Sequence, residues 1–213
     1  MERTDKGVGA RLPRKEDRRF LHGQGEYVAN IRLAGMLEVA FVRSPMAHGK
    51  IRRILKPSGS ENSVFTAEDL KNVIPIRANS GLKGFKVSEQ PVLATGKVRQ
   101  VGELVAMCVA PTRAEAEDAA EFVQVTWEEL PAATEKKTAL SAGTPVIHPE
   151  LGDNLAFRKV IETGDVDAAF AAADVVVEET FEFGRHTAVS LEPRATIADY
   201  NPGDGRLTLT TSS

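Results

Sequence analysis

VGELVAMCVAPTRAEAEDAAEFVQVTWEE, residues 101–129, carries the clearest structural signal in the chain. Its first ten residues are nearly all apolar and have the length of a buried strand. Pro111-Thr112 ends that run, and threonine is a residue type that caps helices by accepting a backbone N–H. Over 113–123, Ala116, Ala119, Ala120 and Val123 recur at i, i+3, i+4 and i+7. Arg113, Glu115, Glu117, Asp118 and Glu121 fall on the other face, so an amphipathic helix is predicted. Val123, Val125 and Trp127 then alternate with Gln124, Thr126 and Glu128, the period-2 mark of a strand. Strand, helix and strand with short links read as a βαβ unit with parallel strands and a right-handed crossover. Cys108, inside the apolar strand, is expected to be inert packing buried beneath the helix.

Toward the N-terminus, Leu37, Val39 and Phe41 alternate with Glu38, Ala40 and Val42, which predicts a strand over 36–43. Ser44-Pro45 breaks it, and a more charged strand is expected over 49–55. Thr66 followed by Asp69 makes a capping box with Asp in place of Glu or Gln, predicting a short helix over 67–72. Pro75, Gly81, Gly84, Pro91 and Gly96 mark 75–96 as mostly irregular loop. Toward the C-terminus, Pro131, Pro145 and Pro149 punctuate a linker without period. Asp165 is placed to cap a helix whose Val166, Ala169, Phe170 and Ala173 share a face. Strands are predicted over 175–183, 195–200 and 206–211, the last two joined as an antiparallel hairpin by the turn at 201–205.

At 213 residues, 42% hydrophobic and 27% charged, the chain can bury a core and is not of disordered composition. A net charge of −3 gives no footprint for nucleic acid, and the basic residues around 11–19 are interleaved with Glu16 and Asp17. No apolar run approaches the ~20 residues of a membrane span. The opening residues lack the apolar stretch of a secretory signal. A single cysteine excludes an intramolecular disulfide and fits a reducing cytoplasm. It also excludes an iron–sulfur cluster held by this chain alone, since such clusters take about four Cys ligands.

The familiar motifs fail on context. Gly7-x-Gly9 and Gly23-x-Gly25 neither follow a strand nor open a helix, so they read as turns and not as a dinucleotide fingerprint. The histidines His22, His48, His148 and His186 have no i+3 or i+4 partner and read as solvated or loop side chains. His186, Ser190 and Glu192 lack the elbow a nucleophilic serine needs, and alternation places them on one strand face by default. Glu192-Pro193-Arg194 reads as a fixed bend with a carboxylate–guanidinium pair, or else as part of a functional site. These residues describe an α+β protein with no self-contained catalytic set.

Residues 11–54, RLPRKEDRRFLHGQGEYVANIRLAGMLEVAFVRSPMAHGKIRRI, resemble the start of a known subunit. It is the molybdenum-binding large subunit of the xanthine dehydrogenase, aldehyde oxidase and carbon monoxide dehydrogenase family. Further blocks follow in that family's order. They are Gly96-Lys97-Val98-Arg99-x-Val101-Gly102-Glu103, Ala114-x-Ala116-x-Asp118-Ala119-Ala120, and His148 with Gly152-Asp153-Asn154. Then come Gly164-Asp165-Val166-Asp167, Arg185-His186 through Leu191-Glu192-Pro193-Arg194, and Gly205-Arg206-Leu207-Thr208. The segment after Lys56, PSGSENSVFTAEDL, departs from the family by lacking its Pro-Gly-Val run.

The resemblance implies an N-terminal extension over 1–16, an α/β hammerhead domain over 17–130 and a linker over 131–154. It implies the truncated beginning of a molybdopterin-binding domain over 155–213. A family enzyme hydroxylates an aldehyde or N-heteroaromatic carbon, or oxidises carbon monoxide, with water as oxygen source. By resemblance, molybdenum-molybdopterin belongs to the complete large subunit, with an iron–sulfur small subunit and an FAD-binding medium subunit as partners. The family's metal-side glutamine, pterin loops and base glutamate lie beyond Ser213. No catalytic, cofactor-binding or metal residue is therefore assigned, and the chain alone is expected to hold no cofactor and be inactive. Self-association or association with the remainder of the large subunit is expected through the C-terminal end. A truncated product, an engineered fragment and half of a split subunit all fit the sequence. The alternative is a non-catalytic assembly or regulatory module that keeps the fold.

Overall fold

The computed structural model describes residues 7, 8, 10 and 12–212. Residues 1–6, 9 and 11 of the expected N-terminal extension, with Gly9 of the first glycine pair among them, and the terminal Ser213 lie outside the described residues. The strands are β1 (Glu38–Arg43), β2 (Gly49–Leu55), β3 (Val64–Thr66), β4 (Ile76–Arg77), β5 (Glu89–Gln90), β6 (Lys97–Val98), β7 (Leu104–Ala110), β8 (Gln124–Glu129), β9 (Thr196–Asn201) and β10 (Arg206–Thr211). The helices are α1 (Asp17–Leu21), α2 (Arg113–Glu121) and α3 (Val166–Ala171). Two compact units emerge: Gly35–Val176, and the N-terminal stretch to Ala34 together with the chain from Val177 onward.

The larger unit is built on β7. Both its edges are taken, by β1 and by β3, each antiparallel, with Ala40 and Val64 opposite Cys108. A second sheet runs β6-β2-β8, also antiparallel, with Gly49 opposite Val98 on one side and Glu129 on the other. The expected βαβ unit is thus corrected. With β1 and β3 hydrogen-bonded to its two edges, β7 has no edge left for β8, and the link through α2 carries the chain from one sheet to the other. The α2 pattern is as the spacing predicts, and β7 and β1 fall inside the expected stretches but start three and two residues later, at Leu104 and Glu38; alternation does not choose a partner.

Helix α2 begins at a complete capping box. Thr112 Oγ1 accepts from Glu115 N at 3.3 Å, and the Glu115 carboxylate accepts from Thr112 N at 3.0 Å. The helix packs on β1 and β7 through Ala116, which is fully buried, with Ala119 and Ala120. Val64, Ala106, Cys108 and Val123 form one buried cluster; Ala94, Val98 and Val105 form another. Val42, Ile54 and Val125 touch both, so the two sheets share one core. Each fully buried valine there contributes about 1.5–3 kcal/mol relative to exposure.

Of the capping box predicted at Thr66 one arm forms, the Asp69 carboxylate accepting from Thr66 N, while Asp69 N donates to the Thr66 carbonyl and no helix follows. Bonds from Asp69 N to Thr66 O, Leu70 N to Ala67 O and Val73 N to Leu70 O are i to i+3, so the chain makes successive turns. Asp165 caps α3 as expected, its carboxylate accepting from Ala168 N at 2.9 Å.

In the smaller unit the predicted hairpin is present. β9 and β10 pair from Thr196–Thr211 to Asn201–Arg206, closed by Asn201 Oδ1 on Gly203 N and by Gly205 at φ +70°. The strand predicted over 175–183 has no ladder partner among the described residues. Val28 is the one buried apolar side chain described in this unit.

Candidate functional site

The densest polar arrangement in the larger unit lies where 86–103 meets 147–155. Lys97, at the start of β6, donates from Nζ to the Ile147 carbonyl at 3.1 Å. Burial, with Arg99 nearby, holds its ammonium below the usual lysine range. The turn after β6 is tied by the Glu103 carboxylate, which is 7% exposed and accepts from Arg99 N. Arg99 Nε is buried without a protein partner. His148 Nδ1 lies 2.9 Å from Glu150 Oε1. Hydrogen bonding to its own backbone N–H, then to His148, lowers the Glu150 carboxyl. A shallow groove beside these groups is lined by Ser88, Gln90, Arg99, Gln100, Glu103 and His148.

Asn154 organises the adjoining loop with its whole amide. Its Oδ1 accepts from Ile147 N at 3.0 Å, and its Nδ2 donates to Ala139 O and Pro145 O at 2.9 Å each. Asp153 pairs with Lys86, which lowers its carboxyl, and caps Leu155 N at 2.9 Å. Gly152 supplies the positive φ, +86°, that the turn requires. Lysine, glutamate, histidine and asparagine here are each engaged by a neighbour that fixes a loop. The arrangement therefore holds the 131–155 segment on the sheets and has no nucleophile poised beside a base.

The histidines do not converge. His22 and His186 are exposed and His148 is half-buried. His48 corrects the expectation of a solvated ring: it is 6% exposed, its Nδ1–H donating to the Pro131 carbonyl at 2.7 Å, with Nε2 buried and unpartnered in the protein. Its own carbonyl accepts from Leu130 N at 3.0 Å, so the end of the β2–β8 ladder carries it inside. No sequence spacing announces this, because the two residues it joins are 83 apart. Among the described residues no three of His, Cys, Asp and Glu come together as a metal site.

In the smaller unit the stretch holding His186, Ser190 and Glu192 is irregular, so no strand face gathers them. Glu192 does something the sequence did not suggest. Its Oε1 accepts from Val28 N at 2.8 Å, across 164 residues, and fastens the N-terminal segment to the Pro193 bend. Ser212 Oγ closes the same bend, accepting from Ala195 N at 2.9 Å and donating to Pro193 O at 3.1 Å.

Comparison with known proteins fits this scaffold. Residues 22–131 match the family described as aldehyde oxidase and xanthine dehydrogenase, a/b hammerhead domain. The chain belongs to the aldehyde oxidase and xanthine dehydrogenase family. Its hammerhead domain is followed by a match to the molybdopterin cofactor-binding domain over 147–213. The nicotine 6-hydroxylase large subunit of Paenarthrobacter nicotinovorans is 37% identical over 97% of this chain and 26% of its own length. The carbon monoxide dehydrogenase large chain of Hydrogenophaga pseudoflava is 34% identical over 95% of this chain and 27% of its own. The solved quinoline 2-oxidoreductase of Pseudomonas putida 86 superposes with a TM-score of 0.87 at 37% identity, covering 98% of this chain and 27% of that one. This family member thus spans about a quarter of the length of the relatives it matches.

Molybdopterin is the group the second match implies. The described residues of 147–212 offer no metal-ligand cluster, and from 177 onward nearly all are exposed, so no cradle encloses such a group. No chemical step is routed through it. No described helix is long and apolar enough to cross a membrane.

Proposed function

We propose that this family member is the N-terminal segment of a molybdenum hydroxylase large subunit. The complete enzyme in this reading hydroxylates an aldehyde or N-heteroaromatic carbon, or oxidises carbon monoxide, with water as oxygen source. Residues 17–130 are its hammerhead domain, 131–154 a linker, and 155–213 the opening of the cofactor domain. Molybdenum-molybdopterin belongs to the complete large subunit, and iron–sulfur clusters and FAD to a small and a medium partner subunit in the cytoplasm.

The observation that carries this reading is the pair of family matches in one order along one chain, with 98% of its path kept in a solved relative. The segment's own contribution is structural. Its polar groups tie loops, through Asn154, Glu103, His48 and Glu192.

The test is elemental analysis and turnover of the purified 213-residue chain, alone and co-expressed with a polypeptide supplying the rest of a family large subunit. Neither stoichiometric molybdenum nor oxidation of nicotine, quinoline, aldehydes or carbon monoxide is expected of the chain alone. Molybdenum uptake or turnover by the chain alone would overturn the structural role.

A further inference from the structure

Arg99 is a cation without a counterpart. It is half-buried in the turn between β6 and β7, and its backbone N–H is held by the buried Glu103 carboxylate. Among the described residues its guanidinium has no hydrogen-bond acceptor and no ion pair. Nε is shut off from water, while the two terminal amino groups are not buried and meet what reaches them from outside. A guanidinium carries five donors in a rigid fork matched to oxyanions, and its half-burial removes hydration that nothing in the chain restores.

The groove beside Arg99 sorts its polar groups in the same sense. Its acids already hold donors: Glu103 takes the Arg99 backbone N–H, and Glu89 accepts from Arg77 Nε at 2.7 Å. Its neutral donors are unspent, since the side chains of Ser88, Gln90 and Gln100 line the groove and bond to nothing among the described residues. Lys97 adds a second cation close by, bonded to the Ile147 carbonyl and to no carboxylate. Burial first, then the charge of Arg99, holds the Lys97 ammonium below its usual range, so the two cations feel each other.

We propose that this groove binds a small carboxylate, its two oxygens accepting from the terminal amino groups of Arg99 as a bidentate pair, with Gln100, Gln90 and Ser88 as further donors. The groove holds about 120 Å³, well below the ~300 Å³ at which drug-sized sites begin, so the occupant is a short acid. Glu103 and Glu150 lie within electrostatic reach of the same cations. They disfavour a doubly charged phosphate or sulfate and leave room for a single negative charge. The site lies wholly in the larger unit and is independent of the large-subunit reading.

The test is an NMR titration of the 213-residue chain at pH 7 and constant ionic strength, with acetate, propionate, acetamide and inorganic phosphate. Acetate and propionate shift the amides of Arg99, Gln100 and His148 and the Arg99 Nε–H, saturating with a Kd on the order of millimolar. Acetamide gives no saturable shift, and phosphate binds more weakly than acetate. With acetate bound, the Lys97 ammonium titrates at higher pH, because the anion offsets the charge of Arg99. Arg99→Lys, which keeps the charge and loses the fork, weakens acetate at least roughly tenfold. Gln100→Glu, at an exposed position, sets a fixed carboxylate beside the guanidinium and does the same, which keeps the test open where Arg99→Lys loosens the turn. Arg53→Gln, exposed on β2 and outside the groove, leaves binding unchanged.

Shifts that grow linearly with acetate and never saturate would mean that water alone completes the fork, and the proposal falls. Acetamide binding as well as acetate, or acetate binding that ignores both Arg99→Lys and Gln100→Glu, removes the guanidinium as the anchor and overturns it. Phosphate binding more tightly than acetate overturns the carboxylate as the ligand class.

Discussion

Asp69→Ala is the perturbation whose cost follows most directly from the geometry. One carboxylate oxygen, Oδ2, accepts from Thr66 N at 2.6 Å, Thr66 Oγ1 at 3.0 Å and Lys56 Nζ at 2.6 Å. Thr66 is 5% exposed and stands opposite Ala106 in the central strand, so its donors have little access to water once the carboxylate is gone. Stranding such a donor costs about 1–3 kcal/mol. Losing the partly exposed Lys56 pair adds roughly 0.2–1 kcal/mol. The expected loss is about 2 kcal/mol, a urea midpoint lower by about 1 M for an m-value near 2 kcal/mol/M. Asp69→Asn keeps an acceptor oxygen and loses the charge, so it should fall about halfway.

The pH dependence carries the sign. The Lys56 hydrogen bond, followed by the Thr66 backbone N–H, lowers the Asp69 carboxyl from 3.8 to about 2. Because the folded-state value lies below the unfolded one, the stabilisation is complete above about pH 4 and is lost as pH falls toward 2. Converted at about 1.4 kcal/mol per pH unit and halved for a side chain a third exposed, it amounts to about 1 kcal/mol. Urea unfolding of parent, Asn and Ala variants at pH 7, 4 and 2.5 measures both quantities. An Ala variant as stable as the parent at pH 7 would sink the reasoning, as would a parent-to-Asn difference that does not shrink between pH 4 and 2.5.

Thr112→Ala removes half of the capping box of α2 and should cost about 1 kcal/mol, seen as a lower thermal midpoint, with Thr112→Ser close to the parent. Cys108 is fully buried and burial raises its thiol, so labelling by a thiol reagent at pH 8 should be slow and accelerate only with denaturant. Cys108→Leu should lose about 1–3 kcal/mol by overpacking against Ala40 and Val64, read from denaturant midpoints. Gly49→Ala places a Cβ against Met46 Sδ and 3.2 Å from the Glu128 carbonyl, so it should destabilise, and Met46→Ala should rescue it by vacating the space.

Much of this fold is written locally. Gly49–Leu55 and Arg113–Glu121 fall where alternation and helical spacing place them, and Leu104–Ala110 lies inside the apolar run 101–110, because each pattern concerns neighbours in sequence. Proximity along the chain does not make β7 and β8 partners, since they lie in different sheets. The central position of β7 is decided by β1 and β3, at separations no local pattern reports. The turns after Thr66 show the limit of a capping signal: it satisfies the first donors, but 67–72 lacks an apolar stripe to hold further turns. His48 and Glu192 were illegible for a related reason. Each is defined by a backbone group, the Pro131 carbonyl and the Val28 N–H, and backbone groups leave no trace in residue identity.

The contrast between hairpin and strand in the smaller unit turns on the same distinction. Residues 195–211 carry their own turn chemistry: Asn201 and Asp204 accept from Gly203 N and Arg206 N, and Gly205 takes the positive φ. Those bonds span at most two residues, so the hairpin closes without help from elsewhere. Residues 177–183 have comparable apolar alternation, with Val177, Phe181 and Phe183, but no turn among the described residues pairs another strand with them. A strand needs a neighbour for every outward N–H and C=O, and alternation promises a face without supplying that neighbour. The same period-2 pattern therefore produces a ladder where the turn is local, and over 177–183 no ladder among the described residues. It follows that 177–183 should acquire protected amides only when another chain segment is present, whereas 196–201 keeps a measurable share of its protection alone.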